Sequence, residues 1–139
     1  MQTITICGSM AFFTQMMELK DTLENMGFIV HTPILEGSGT DYSLLTESEQ
    51  RETKNKFINK HLDKIKESHA ILVANYDKKG IEGYIGANTF IEMAFAYALN
   101  KKIYILKSIP DQDNKIEIMG LLPICLKEDV QSLVAKNGA

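Results

Sequence analysis

Apolar positions along the chain alternate between short β-branched runs and stretches with helical spacing. The short runs predict five strands, at residues 2–7, 28–31, 70–74, 102–106 and 121–126. The helical spacing predicts helices at residues 12–26, 47–67, 89–99 and 128–136. Strands that alternate with helices are typical of a parallel sheet. The pattern therefore predicts one α/β domain over residues 1–139, a five-stranded parallel sheet with helices on both faces.

Three of these elements have distinctive compositions. The run A-I-L-V-A at residues 70–74 is continuously apolar, as expected for a central strand that is covered on both faces. The helix at residues 89–99 is apolar almost all around, which predicts that it is largely buried, with a subunit contact as one explanation. The helix at residues 47–67 has an apolar stripe, and we assign its polar face to solvent. The stripe consists of Phe57, Ile58, Leu62 and Ile65.

Composition and charge narrow the range of partners. The chain has a net charge of -3 at pH 7, and Arg51 is its one arginine, so nucleic acid is not an expected partner. No signal peptide is recognisable, and no apolar run approaches the roughly 18 residues of a membrane span. Cys7 and Cys125 lie in different strands without a Cys-x-x-Cys spacing. We therefore expect no disulfide framework, no metal site and no cofactor, and a cytoplasmic location.

The sheet type indicates where a ligand should bind. Open parallel sheets bind ligands outside the carboxyl ends of their strands, at the switch in strand order. This rule selects the turn at Gly8-Ser9-Met10, the loop that follows His31, and residues 75–92. At Gly8 the backbone can approach a ligand closely, and free N–H groups at a helix start favour an anion or a sugar hydroxyl. The loop at residues 34–46 is long enough to act as a lid.

Glu92 has two interpretations. In Thr89-x-x-Glu92 it completes a capping box, in which the glutamate binds back to the helix start. Alternatively, Glu92 lies in the first turn of a helix at the crevice, where the helix dipole keeps a carboxylate ionised and suited to act as a nucleophile. Such a carboxylate attacks an anomeric carbon through an oxocarbenium-like transition state, as in retaining glycosidases. One residue can serve both roles.

Histidines and one aspartate are candidates for proton transfer. His31 lies at the carboxyl end of a strand, whereas His69 lies at the amino end of the central strand, away from the crevice. His61 lies on the half-buried side of the long helix, where packing is the more common role. Asp77 follows the central strand and can contact a base or solvate a loop. With Glu92, we take His61 and Asp77 as the candidate catalytic residues.

Two motifs resemble a known family. Cys7-Gly8-Ser9 and Gly86-x-x-Thr89-x-x-Glu92-Met93-Ala94 resemble the nucleoside 2-deoxyribosyltransferase-like superfamily, which includes 2'-deoxynucleoside 5'-phosphate N-hydrolases. The similarity continues through residues 100–103 and 116–120. It implies a flavodoxin-like, Rossmann-like sheet, a homodimer or larger homo-oligomer, and a nucleoside or nucleotide as ligand. It also implies cleavage or transfer of the N-glycosidic bond of a (deoxy)nucleoside or its 5'-monophosphate, with Glu92 as the nucleophile.

The chain departs from the family pattern at three places. The family carries a carboxylate on the helix before the central strand, and the matching position here is His61, with Asp63 nearby. The hydrolases have an arginine shortly after the first turn, where residues 10–12 are Met-Ala-Phe. The transferases favour Asp-x-Gly-Thr, where residues 86–89 are Gly-Ala-Asn-Thr. Hydrolysis and base exchange both remain open. The crevice rule and the resemblance together give the expected substrate-binding residues, Cys7, Gly8, Ser9, Met10, Phe12, Asn75, Gly86, Asn88 and Thr89.

Two other functions fit the same fold. One is a nucleotide-sensing module that binds its ligand without turnover. The other is a phosphoribohydrolase of the lysine-decarboxylase-like kind, whose Pro-Gly-Gly-x-Gly-Thr-x-x-Glu motif partly matches residues 86–92. A phospho-receiver domain is excluded, because it needs an acidic cluster where residues 7–9 are Cys-Gly-Ser. Release of free base from a panel of nucleosides and monophosphates distinguishes an enzyme from a sensor.

Overall fold

A computed structural model describes residues 2–33 and 40–136 and contains one parallel sheet. Its strands are β1 (Thr3–Cys7), β2 (Ile29–His31), β3 (Ala70–Val73), β4 (Lys102–Ile105) and β5 (Ile124–Cys125). Their order is β2-β1-β3-β4-β5, and each neighbouring pair is parallel. This is the flavodoxin-like order, so the predicted fold class is confirmed. The strand order reverses between β1 and β3, which places the ligand crevice beyond the carboxyl ends of these strands.

The helices are α1 (Phe13–Asn25), α2 (Glu47–Glu67), α3 (Ala87–Ala98), α4 (Lys115–Gly120) and α5 (Ser132–Lys136). Short 3-10 turns lie at Met10–Phe12 and Tyr42–Leu44. The predicted bounds near the C-terminus were wrong, because β5 is shorter than residues 121–126 and α5 begins after residue 128. Leu122, Lys127 and Glu128 have positive φ angles, which belong to neither strands nor right-handed helices. The proposed lid lies partly outside the described residues, since residues 34–39 are not described.

Two apolar cores cover the two faces of the sheet. One core joins α1 and α5 to the sheet through Met16, Leu19, Leu23, Leu133, Ile4, Ile6, Leu72 and Tyr104. The other joins α2, α3 and α4 to the sheet through Ile65, Met93, Ala96, Ile118, Cys7, Ile71, Val73 and Ile105. Successive residues of a strand point to opposite faces. Cys7 therefore lies on the same side of the sheet as α2 and α3, whereas Ile6 faces α1.

A capping box fixes the start of α2. The Thr46 hydroxyl accepts a hydrogen bond from the backbone N–H of Glu49, and the Glu49 carboxylate accepts one from the backbone N–H of Thr46. From there the helix runs without a break to Glu67, as the sequence predicted. Its buried residues are His61 and Ile65, so His61 is turned toward the sheet.

The start of α3 differs from the prediction. The helix begins at Ala87, and the carbonyl oxygen of Gly86 accepts a hydrogen bond from the backbone N–H of Phe90 at 2.9 Å. Thr89 is the third helical residue and is buried, so the predicted Thr89–Glu92 capping box was wrong. Glu92 consequently lies in the second turn. A helix dipole acts mainly within the first turn, so the argument from the helix dipole does not apply to Glu92.

The outer face of α3 is apolar and uncovered. The exposed fractions of Ile91 and Tyr97 are 39% and 50%, and only Thr89, Met93 and Ala96 are buried along the helix. The expectation that this helix is largely buried is therefore wrong for one chain, because the sheet covers a single side of it. No helix within residues 2–33 and 40–136 is long and apolar enough to cross a membrane.

Candidate active site

A cavity of about 220 Å³ lies beyond β1 and β2, between α2 and α3, and we call it the inner cavity. It occupies the region where the strand order predicts a ligand site. Most of its wall is apolar or aromatic, as is typical of small-molecule sites, with a few polar groups among them. Its lining residues are Gly8, Met10, Pro33, Tyr42, Lys54, Phe57, Ile58, His61, Asn88, Ile91, Glu92 and Phe95.

Gly8 brings the turn after β1 close to the end of β3. A Cβ atom at this position would lie 3.0 Å from the Met16 sulfur and 3.2 Å from the carbonyl oxygen of Ala74. The contact with a backbone oxygen leaves little room for any side chain. This close approach places Gly8 in the wall of the cavity, which Met10 also lines.

The other predicted residues of this turn have partners within the protein. The Ser9 hydroxyl accepts hydrogen bonds from the backbone N–H of Ala11 and from Lys78 Nζ at 3.0 Å. The Phe12 ring packs against Tyr76, with ring centroids 5.3 Å apart. Neither Ser9 nor Phe12 lines the inner cavity.

Three side chains from separate elements converge beside the cavity. His61 Nε2 on α2 lies 2.9 Å from Glu92 Oε2 on α3 and 3.4 Å from Cys7 Sγ on β1. The ligand-type atoms of the three residues all lie within 4.8 Å of one another. The exposed fractions of the His61 and Glu92 side chains are 8% and 18%. The fold thus brings together the two leading catalytic candidates, and Glu92 retains access to the cavity.

The surroundings of Cys7 keep its thiol neutral. Burial, and secondarily the negative charge of Glu92, raises the pKa of the Cys7 thiol well above its ordinary value. At neutral pH Cys7 is therefore a thiol rather than a thiolate. Its role next to His61 is that of a neutral neighbour and not of a nucleophile.

Asn75 and Asp77 lie outside the inner cavity. The Asn75 amide donates to the carbonyl oxygens of Gly83 and Ser108 at 3.0 Å each, and its oxygen accepts from the backbone N–H of Lys107. Asp77 accepts from the backbone N–H of Gly83 and from Lys107 Nζ, both at 2.8 Å. The contact with Lys107 is the main reason that the pKa of Asp77 is lowered. These side chains join the loop after β3 to the loop after β4.

Of the remaining candidate site residues, some line the inner cavity and others only make contacts within the protein. Asn88 lines the cavity, whereas Gly86 forms the N-terminal cap of α3. His31 Nε2 lies 3.8 Å from Glu67, and His69 Nδ1 accepts a hydrogen bond from the backbone N–H of Thr3. Neither of these histidines reaches Glu92.

The sequence pattern identified His61 and an apolar stripe with Phe57 and Ile58, but it did not indicate that this face of α2, together with Lys54, lines a cavity. Four residues of α2 line the cavity, namely Lys54, Phe57, Ile58 and His61. Their spacings of three, one and three residues place them on one side of the helix. Helical spacing from His61 was the signal that could have found them. An outer groove of about 970 Å³ adjoins the cavity, and Lys54 lines both spaces. The groove is lined by Tyr42, Gln50, Arg51, Glu52, Lys54, Asn55, Ile58 and Asn88.

Solved structures share the fold at low sequence identity. A CMP N-glycosidase, BcmB, from Clostridium botulinum is 19% identical, with a TM-score of 0.55, covering 95% of this chain and 98% of the other. A 2-deoxyribosyltransferase from Bacillus psychrosaccharolyticus is 17% identical, with a TM-score of 0.50, covering 74% of this chain and 70% of the other. No curated protein is significantly similar in sequence.

The sequence also matches a family model. The match is to the nucleoside 2-deoxyribosyltransferase model and covers residues 6–123. This range includes the turn after β1, the whole of α2 and α3, and each of the three converging side chains. The chain therefore belongs to the nucleoside 2-deoxyribosyltransferase family.

Proposed function

We propose that this protein cleaves the N-glycosidic bond of a nucleoside or a nucleoside 5'-monophosphate, with Glu92 as the nucleophile. The observation that carries this proposal is the position of one carboxylate. Glu92 lies in the wall of the inner cavity, contacts His61 at 2.9 Å, and is partly exposed within an otherwise mostly apolar surface. A carboxylate with these properties is suited to attack a sugar carbon from one side.

The proposed chemistry has two steps. A carboxylate oxygen of Glu92 attacks C1' of the sugar, while the base leaves with the electron pair of the C1'–N bond and takes up a proton. Water then attacks C1' of the glycosyl ester and loses a proton, while the C1'–O bond to Glu92 breaks, which releases the free sugar and restores the Glu92 carboxylate. A second base that attacks in place of water yields a new nucleoside. Hydrolysis and base exchange thus share one intermediate.

His61 acts in this scheme through Glu92. Its Nε2 atom is within contact distance of the carboxylate, and His61 itself is almost fully buried. A donor at this position orients the carboxylate and compensates its charge when the ester is hydrolysed. We therefore assign His61 to positioning the nucleophile.

The cavity wall supports a flat heterocyclic ligand. Phe57 and Phe95 provide aromatic surface, and Ile58 and Ile91 add aliphatic surface. Such a wall stacks a base and excludes water from the reacting bond. Lys54 is the cation that lines both the inner cavity and the outer groove among the described residues, and we assign it to the 5'-phosphate of a monophosphate substrate.

We also propose that the protein is a homodimer of single-domain chains. The uncovered apolar face of α3, on which Tyr97 is 50% exposed and lies outside the cavity lining, supports this assignment, because such a face is costly to leave in water. Sedimentation of wild-type protein and of Tyr97→Lys tests the proposed dimer, with a monomer expected for the variant.

The two free cysteines are in keeping with a cytoplasmic location.

The test is a substrate panel. Purified protein is incubated with nucleosides and their 5'-monophosphates, with and without a second free base, and products are separated by chromatography. Free base without an acceptor indicates hydrolysis, whereas a new nucleoside with the acceptor indicates exchange. Absence of both products across the panel, from protein that binds the same compounds, would contradict the proposal in favour of a binding module.

A further inference from the structure

Cys7, His61 and Glu92 have the chemistry of metal ligands. A thiol sulfur, an imidazole nitrogen and a carboxylate oxygen are the donor types that bind zinc in proteins. The three donor atoms lie within 4.8 Å of one another, although they come from β1, α2 and α3. The proposed reaction uses Glu92 and His61 and gives no part to the sulfur of Cys7.

Two of the three distances between the donor atoms are close to those of a zinc site. With zinc–sulfur and zinc–nitrogen bonds of about 2.3 Å and about 2.0 Å at a tetrahedral angle, the sulfur and nitrogen atoms lie about 3.5 Å apart. Cys7 Sγ and His61 Nε2 are 3.4 Å apart. His61 Nε2 and Glu92 Oε2, at 2.9 Å, must separate by a few tenths of an ångström. Rotation of the partly exposed Glu92 side chain allows this.

The hydrogen bonding of the cluster also favours an added cation. Cys7 Sγ and Glu92 Oε2 both contact the same nitrogen of His61, and that nitrogen carries at most one hydrogen. A cation between the three atoms can contact all of them at once. Metal binding must displace the proton of the thiol, as it does at other thiolate sites.

We propose that Cys7, His61 and Glu92 form a Zn²⁺ site, and that occupation of the site withdraws Glu92 from the substrate. The sulfur and nitrogen donors select zinc over Mg²⁺, which prefers oxygen ligands. The inner cavity, which Glu92 and His61 line, provides the route for the ion and room for a water as fourth ligand. The metal then draws electron density from the Glu92 carboxylate and makes it a weaker nucleophile toward C1'.

The test is a titration of chelator-treated protein with Co²⁺, followed by displacement with Zn²⁺. We expect one equivalent of Co²⁺ with a thiolate-to-cobalt absorption band, and release by Zn²⁺ but not by Mg²⁺. In Cys7→Ser the band should disappear and the affinity fall at least about 100-fold, since loss of an outer ligand partner alone costs about 10–100-fold. Cys125→Ser is the matched control and should bind like wild type.

Two outcomes would overturn the site. One is the absence of stoichiometric binding with a thiolate band in wild-type protein, and the other is an unchanged band in Cys7→Ser. Circular dichroism establishes that each variant is folded. If Cys7→Ser does not fold, Glu92→Gln replaces it in the titration, and unchanged affinity in that variant counts against the site.

The inhibition rests on the proposed function and is measured separately. Base release by wild-type protein should fall in the presence of Zn²⁺ and recover with a chelator, and the rate of Cys7→Ser should be insensitive to Zn²⁺ relative to its own metal-free rate. Zn²⁺ binding without inhibition contradicts the withdrawal of Glu92. Absence of base release under every condition contradicts the proposed function, while the Co²⁺ titration still decides the metal site.

Discussion

The loop after β3 and the inner cavity both present polar side chains beyond the carboxyl ends of the strands, but they use these groups differently. In the loop, Asn75 and Asp77 make hydrogen bonds to Gly83, Lys107 and Ser108, so their polar atoms are engaged by the protein. In the cavity, Glu92 contacts His61 at 2.9 Å but is also part of the wall of an enclosed space. A position at the crevice is therefore insufficient to indicate chemistry. The polar group must also border a cavity that can hold a ligand.

The largest expected difference between the two regions concerns their carboxylates. Glu92→Gln should lower kcat/KM for base release by about 10⁴-fold or more, since the amide is not a nucleophile. Asp77→Asn, the matched control, should lower it by less than about threefold, because the Asp77 side chain is 60% exposed and lies outside the cavity. Equal losses of kcat/KM in the two variants would contradict the proposed difference between the two regions and would indicate that Asp77 is catalytic.

Substitutions of His61 test whether this residue positions the Glu92 carboxylate or only packs in the protein. His61→Ala should lower kcat about 100-fold with a smaller change in KM, because a nucleophile that is misplaced by about 1 Å loses this much rate. His61→Gln should recover part of kcat, since its amide can still donate to Glu92. His31→Ala is the control histidine. A normal kcat for folded His61→Ala would mean that this residue only packs.

Asn75 should matter for stability and not for chemistry. Asn75→Ala removes three hydrogen bonds of a buried amide and leaves backbone partners unsatisfied, which should lower the free energy of unfolding by about 2 kcal/mol or more. Urea denaturation measures this change, and Asn75→Asp should lose at least as much, since its carboxylate would be buried against the carbonyl oxygens of Gly83 and Ser108. Normal stability together with a raised KM would instead place Asn75 in the substrate site.

Substitution of Lys54 has the smallest expected effect, and it tests whether the substrate carries a 5'-phosphate. Lys54→Gln should raise KM for a 5'-monophosphate about tenfold, which corresponds to about 1.4 kcal/mol, and leave KM for the parent nucleoside unchanged. Lys56→Gln is the matched control, because Lys56 lies on α2 but does not line the cavity or the groove. Equal effects of Lys54→Gln on the two substrates would exclude a phosphate contact.

The sequence predicts the fold well because its signals are local. The apolar run at residues 70–74 became β3, and the Thr46–Glu49 capping box begins α2 at the predicted residue. The start of α3 was missed, since Thr89-x-x-Glu92 imitates a cap that Gly86 supplies through its backbone. Near β5, positive φ angles at Leu122 and Lys127 interrupt the backbone, and apolar spacing carries no information on them.

The site is harder to predict because its contacts join distant parts of the chain. Glu92 and His61 were each identified from their position, but their 2.9 Å contact depends on how α2 and α3 pack against each other. Cys7 joins them because alternation along β1 turns it toward these helices. Lys54 was assigned to solvent with the rest of its polar face, and only the position of α2 over the crevice brings it to the cavity.

The most direct test of Glu92 as the nucleophile is to trap the intermediate. A nucleoside with fluorine at C2' destabilises the oxocarbenium-like transition state and slows hydrolysis of the glycosyl ester, so that the ester accumulates. Intact-mass and peptide mass spectrometry should then show one added sugar, attached to Glu92 and absent from Glu92→Gln. A sugar attached to any other residue, or base release without an adduct under trapping conditions, would contradict the proposed mechanism.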